Sequence, residues 1–310
     1  MKEKILELEN KIGNTKTILA SNIIKKFRLL SNLYLKLEKE NFTGSNKDRL
    51  VYYIIKDGIE KGLINKNTII LEATSGNTGI SISAISKYLG LKCIIVMPDN
   101  ASIERIKIIE EYHGQVVLTP STLGMQGSIE KLNELKKQYN NCFEINQFNN
   151  YLGINAHYET TGKEIYKDIP NIDVFICGIG TGTTFSGCSK YLKEQKELLS
   201  VAVLPTSYPH KIQGIGAGFT PSIFNTSLVD EYVMVSDADA YDYTRLLYEE
   251  EQLLCGISSG AALYAGVVLA RKYPGKNIVV ILPDDGNRYI STGVFNGLKI
   301  NWKSTFRTRF

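Results

Sequence analysis

Apolar residues alternate with others in Leu33-Tyr-Leu-Lys-Leu37, the period of a β-strand. Leu50, Tyr53, Ile54, Ile59 and Leu63 then recur at helical spacing. Asn41-Phe-Thr-Gly-Ser-Asn-Lys-Asp-Arg49 joins the two, so Thr43-Gly44-Ser45 reads as a turn and Lys47 falls at or near a helix N-terminus. The alternation continues downstream. Strands are expected at Thr68–Ala73, at Cys93–Met97 with Pro98 closing it, at Val116–Leu118 and at Phe143–Ile145. Helices are expected near 78–90, 103–112 (ended by Gly114) and 127–139. A second series follows: Val174–Cys177, a helix near 184–194, Val201–Leu204, Tyr232–Val235, helices near 238–251 and 259–272, and Ile278–Leu282. Short apolar runs separated by helices predict parallel strands buried on both faces. With no internal repeat or low-complexity linker, the pattern predicts an α/β chain of two layers that switch near residue 150. Ligands in such folds bind beyond the carboxyl ends of the strands.

Composition changes this picture little. The 310 residues, 43% hydrophobic and 22% charged, exclude a disordered chain and suit roughly two domains. The net charge of +4 is spread without a basic run, so no nucleic-acid partner is expected. Five scattered cysteines form no C-x-x-C pair, which argues against a zinc site or a disulfide framework. His113, His157 and His210 show no ligand spacing, so no metal is expected. There is no apolar N-terminal signal and no run of about 18 apolar residues. A cytoplasmic protein without a membrane partner is expected.

The candidate chemistry lies at strand-to-helix turns. A helix N-terminus disfavours a cation. Lys47 is therefore either an amine of lowered pKa, free for Schiff-base chemistry, or a solvated lysine beside Asp48. Thr74-Ser-Gly-Asn-Thr-Gly79 follows the Thr68 strand with small polar side chains and two glycines. It is either a carboxylate cradle at a helix start or an ordinary polar turn with a cap. Gly180-Thr-Gly-Thr-Thr184 follows the Val174 strand. It lacks P-loop and dinucleotide spacing and carries no basic residue, which suits a monophosphate held by backbone N–H groups, with a plain Gly-rich turn as the alternative. In Gly256-Ile-Ser-Ser-Gly260, Ser258 either caps a helix or faces a ligand. Lys211–Phe219 is a glycine-rich loop able to border or close a cleft. A nucleophilic lysine, a phosphate cradle and a carboxylate cradle together point to pyridoxal phosphate and an amino-acid substrate.

The combination resembles the cysteine synthase family of fold type II pyridoxal-phosphate enzymes, over nearly the whole chain. The likeness includes Ile12–Thr15, Ser45–Arg49, Thr74–Gly79, Met97-Pro98, Ile103–Arg105, Gly124-Met125, Gln147-Phe148, His157–Gly162, residues 211–219, Gly256–Gly260 and Arg288–Thr292. The resemblance implies two doubly wound parallel-sheet domains with the cofactor in the cleft between them. Residues 1–39 and 152–310 would form the larger domain and 40–151 the smaller, mobile one. Lys47 would form the internal aldimine and move the α-proton. Asn77 would meet the ring oxygen, Gly180, Thr181, Gly182, Thr183 and Thr184 the phosphate, and Ser258 the ring nitrogen. Thr74, Ser75, Thr78 and Gln147 would bind the substrate carboxylate. A neutral serine at the ring nitrogen makes a weaker electron sink than a carboxylate partner would, which favours β-elimination to an aminoacrylate and addition of a nucleophile in ping-pong order. A homodimer is implied by the family alone.

Several positions depart from the family pattern: Asn46, Lys16, Thr183, Leu204, a short Pro205–Lys211 stretch, and Asp284-Asp285 before Gly286. Asp237, in Val235-Ser-Asp-Ala-Asp-Ala240, stands where serine or asparagine is usual. It is either a helix N-cap or a general base near the β-carbon. Sulfide hardly needs a base near neutral pH, whereas water and, to a lesser degree, a thiol do. The base reading favours L-cysteine as donor, with hydrogen sulfide leaving and water or a second cysteine adding to give L-serine or L-lanthionine. The rivals are a biosynthetic cysteine synthase using O-acetyl-L-serine and sulfide, a cystathionine β-synthase, a serine or threonine dehydratase, and a non-catalytic binding protein.

Overall fold

The computed structural model describes residues 1–300. In chain order its elements are α1 (Lys2–Glu9), β1 (Thr17–Leu19), α2 (Ser21–Phe27), β2 (Asn32–Leu37), α3 (Lys47–Glu60), β3 (Ile69–Ala73), α4 (Asn77–Leu89), β4 (Lys92–Pro98), α5 (Ile103–Glu111), β5 (Gln115–Thr119), α6 (Gly124–Gln138) and β6 (Cys142–Glu144). There follow α7 (Leu152–His157), a π-helical turn (Tyr158–Gly162), α8 (Lys163–Asp168), β7 (Val174–Gly178), α9 (Thr183–Gln195), β8 (Leu199–Pro205), β9 (Glu231–Val235), α10 (Asp237–Glu251), α11 (Ile257–Lys272), β10 (Asn277–Leu282) and a 3-10 turn (Gly286–Thr292). Among the described residues no helix is long and apolar enough to cross a membrane.

The strands form two sheets, ordered β1-β2-β10-β7-β8-β9 and β5-β4-β3-β6. Every pairing is parallel except β1 with β2. That edge strand is a departure from the all-parallel expectation. At three residues, Thr17–Leu19 is too short to show a period.

Alternation within each apolar strand feeds two cores. Val174 and Ile176 of β7 face α2, α10 and α11, while Phe175 and Cys177 face α8 and α9. The second sheet is covered in the same way, by α1, α3, α4 and α5 on one face and by α6 on the other. Helices on both faces are the doubly wound arrangement. The first helix serves the second sheet: Ile5 and Leu8 pack among Leu50, Ile54 and Ile85.

A buried ion network secures the start of α3. The Arg49 guanidinium, fully buried, bonds both Glu38 oxygens at 2.7 Å and reaches both oxygens of Glu164 at 2.6 and 2.9 Å. Lys36 joins Glu164 at 2.8 Å, and Thr15 donates to Glu38. Glu164 also accepts the Asn14 N–H, so the Ile12–Thr15 run is tied to the lysine helix. Burial alone would raise the Glu164 carboxyl, but Arg49 and Lys36 outweigh it and hold the carboxyl down at about 2.

Strand order places the candidate turns. β7 leads through α9 to β8, on the side away from its other neighbour β10, and β3 leads through α4 to β4, on the side away from β6. Residues 180–184 follow β7, Asp284 follows β10, residues 74–79 follow β3 and Gln147 follows β6. These are the topological switch points, where open α/β sheets bind ligands.

Candidate active site

Lys47 is the first residue of α3, as the turn ahead of it requires. The solvated pairing with Asp48 does not occur. Asp48 is buried and accepts from the Thr43 N–H, the Thr43 hydroxyl and the Ser81 hydroxyl, each at 2.6 Å. That carboxylate therefore holds the 43–45 turn, while Lys47 Nζ donates to Asn46 Oδ1 at 3.0 Å. Burial pushes the Lys47 amine below its usual range, and Asp284 is the strongest of the anions pulling the other way. Desolvation is thus the leading cause of the lowered pKa.

Lys47, Asn77, Gly180, Thr181, Gly182, Thr184 and Ser258 line one cavity. Gly182 adopts φ +83°, and a Cβ on Gly180 would meet Gly214 O at 2.3 Å, so neither position has room for an ordinary side chain. α9 starts at Thr183 and opens its N-terminus onto this loop. Thr183 itself is buried and paired with the Thr181 hydroxyl at 2.9 Å. Gly256 is the N-cap of α11, so Ser258 is not a cap; it lines the cavity instead.

The carboxylate candidates come together beside this cavity. Thr78 donates to Gln147 Oε1 at 2.6 Å, joining residues 69 apart in the chain. Thr74 accepts the Gly76 N–H within the turn, and Ser75 lies between them. Beneath them Glu72 is buried and accepts the Asn146 N–H at 2.8 Å and the Gln147 N–H at 3.4 Å. Burial pushes this carboxyl up to about 8 despite those donors.

Asp237 is not an N-cap. Ser236 caps α10, accepting the Asp239 N–H at 3.1 Å. Asp237 Oδ1 accepts the Lys211 N–H at 2.9 Å and so anchors the glycine-rich loop, whose Gly214 and Ile215 line the cavity. On the other side Arg105 of α5 reaches Gln213 of the same loop.

Four further residues hold the site together from positions to which the sequence assigns no role. Asn46 bridges Lys47 to the glycine loop, donating to Thr184 at 3.0 Å. His157 bonds the same Thr184 hydroxyl at 3.1 Å and Thr161 at 2.9 Å, and burial lowers it to about 3, leaving it a neutral prop. Arg288 donates to Asn77 Oδ1 at 2.8 Å and to Thr43 O. Asp284 accepts from Asn77 at 2.7 Å. Asn46 and Asp284 had a signal, as departures from the family pattern. His157 and Arg288 had only their place in resembling runs.

These residues fit pyridoxal phosphate. A desolvated lysine lines a cavity that is also lined by a small-residue cradle at a helix N-terminus and by Ser258.

The comparisons with known proteins agree. The family model described as pyridoxal-phosphate dependent enzyme matches residues 8–284. Cysteine synthase B of Campylobacter jejuni is 43% identical, covering 94% of this chain and 98% of its own. Cysteine synthase of Buchnera aphidicola is 39% identical, covering 92% and 94%. A solved hydrogen sulfide-producing enzyme from Fusobacterium nucleatum superposes with a TM-score of 0.87 at 42% identity, covering 91% and 98%. The chain therefore belongs to the pyridoxal-phosphate-dependent enzymes and, among them, to the cysteine synthase family.

Proposed function

We propose that the protein is an L-cysteine lyase of this family, which releases hydrogen sulfide and forms L-serine or L-lanthionine by β-replacement. The observation that carries this reading is Asp237, a carboxylate held against the loop that borders the cavity. Bound pyridoxal phosphate supplies the electron sink for bonds at the substrate α-carbon. In our reading Lys47 carries the cofactor and moves the α-proton. Thr74, Ser75, Thr78 and Gln147 bind the substrate carboxylate, residues 180–184 the phosphate, Asn77 the ring oxygen and Ser258 the ring nitrogen. Asp237 takes the proton of incoming water or thiol, a task sulfide does not impose. Residues 40–151 form the part that closes over substrate, the protein works in the cytoplasm, and it pairs as a homodimer. The likeness to the hydrogen sulfide-producing enzyme supports sulfide as the group released.

Biosynthetic cysteine synthase is the second reading, favoured by the names of the Campylobacter and Buchnera relatives. Purified enzyme with L-cysteine alone, then with O-acetyl-L-serine alone, separates the two when sulfide and amino-acid products are followed. The proposal expects rapid sulfide from cysteine, with serine or lanthionine formed. Cysteine that is nearly inert as donor, with O-acetylserine consumed only when sulfide is added, overturns it.

A further inference from the structure

Asp284 ends β10's run into the cavity and is 1% exposed there. Its Oδ2 accepts from Asn77 Nδ2 at 2.7 Å and from the Tyr289 hydroxyl at 2.5 Å. Its Oδ1 is buried and has no hydrogen-bond partner among the described residues. A Cβ on Gly256 would fall 2.1 Å from that oxygen, so Oδ1 lies against the backbone leading into Ser258. A buried carboxylate oxygen left unpaired is costly, which marks Asp284 out among the residues that line the cavity.

Asn77 shows what the carboxylate does. Its Oδ1 accepts from Arg288 and its Nδ2 donates to Asp284. Flipping the amide would turn N–H toward a guanidinium and C=O toward a carboxylate, two repulsions in place of two charge-assisted bonds. One amide hydrogen remains after Asp284 has taken the other. Among the described residues the other ionisable groups around this point are Lys47 and Asp48 from α3, Glu38 and Lys39 after β2, His157 from α7, Cys177 from β7, Arg105 from α5, Cys255 ahead of α11, and Asp285, Arg288 and Tyr289 after β10. Of the anions among these and Asp284 itself, Asp284 acts most strongly on Lys47.

We propose that Asp284 is a positioning residue of the cofactor site: its carboxylate locks the Asn77 amide so that a hydrogen is presented to the cofactor, and it keeps a negative charge beside Lys47. The inference rests on the reading that Lys47 carries the cofactor. Asp284→Asn keeps the shape and can still accept from Asn77 and Tyr289, but has no charge. The test is a pH titration of the bound cofactor's visible absorbance in the holoenzymes, with cofactor affinity and thermal melting measured alongside. In Asp284→Asn the midpoint of the absorbance change falls by ~1 unit or more, a tenfold shift in the ionisation equilibrium, because the cation at Lys47 loses its anion. Asp284→Ala, which also frees the Asn77 amide, weakens cofactor binding by ~5-fold or more. Tyr289→Phe keeps the wild-type midpoint. An Asp284→Asn midpoint within ~0.3 unit of wild type in a stably folded protein overturns the proposal, since one unit is the shift at stake. So does a Tyr289→Phe variant that reproduces the Asp284→Asn shift, because Asp284 would then only anchor Tyr289. Should the asparagine variant not fold, Arg288→Gln, which keeps Asp284 and its charge, keeps the wild-type midpoint, and a fall of ~1 unit there overturns the proposal. A visible band that survives unchanged in Lys47→Ala overturns the reading of Lys47 beneath it.

Discussion

Asp237 Oδ1 and the Lys211 backbone N–H are 2.9 Å apart, one hydrogen bond between the start of α10 and the start of the glycine-rich loop. The bond gives Asp237 a structural task that Asp237→Asn keeps, because an amide oxygen also accepts. On the proposed reading the variant removes only the base. Multiple-turnover sulfide release from L-cysteine is expected to fall by ~100-fold, the lower end of a general-base contribution. Sulfide from the first turnover is expected to keep its wild-type rate, since elimination precedes the step that needs the base. Full steady-state turnover in Asp237→Asn, followed by sulfide detection, would leave the carboxylate only its loop-anchoring role.

Asn46 links the lysine to the glycine loop through two side-chain bonds of 3.0 Å. Asn46→Leu removes the donor that Thr184 accepts and strips one support from the cradle. Loss of a hydrogen bond of ~1 kcal/mol corresponds to about fivefold weaker cofactor retention. Equilibrium dialysis against free pyridoxal phosphate measures it. Unchanged retention would mean that His157 alone holds Thr184.

Glu72 sits at about 8 in the folded protein and near 4.5 when exposed. Between those values the native state binds more protons than the unfolded state, so stability falls as pH rises from 4.5 to 8. Glu72→Gln mimics the protonated acid and lacks this slope. Its stability relative to wild type should therefore grow across that window in urea melts. Parallel curves would show that Glu72 is ionised throughout.

Glu164 has the opposite sign. It is held at about 2, below the 4.5 of a free carboxyl, so its contribution is complete above 4.5 and is lost as pH falls towards 2. Glu164→Gln should be less stable than wild type at neutral pH, with the gap closing through that acid window. A constant gap in denaturation midpoints from pH 6 to 2.5 would contradict the coupling to Arg49 and Lys36.

The parallel strands were legible because runs such as Ile278–Leu282 are apolar throughout, as strands buried on both faces must be. α1 was not, since KEKILELE carries only two residues that become buried. The helical stretch from Leu152 to Asp168 was also missed; a π-helical turn at Tyr158–Gly162 interrupts its period. In the site, the glycine and hydroxyl turns were readable from local composition. The clamp on Asn77 was not, because its partners Asp284 and Arg288 lie 207 and 211 residues away. Helix-cap alternatives for Ser258 and Asp237 needed coordinates, because Gly256 and Ser236, the actual caps, stand one or two positions earlier.

Lys47 belongs by its helix to the second sheet, yet its turn is fastened to the first. Ser45 bridges Asp284, and the Asn46 N–H bonds Pro283 O at 2.9 Å. If residues 40–151 close over substrate as proposed, the turn ahead of Lys47 is the tether they swing about, its backbone held by the strand end that carries Asp284.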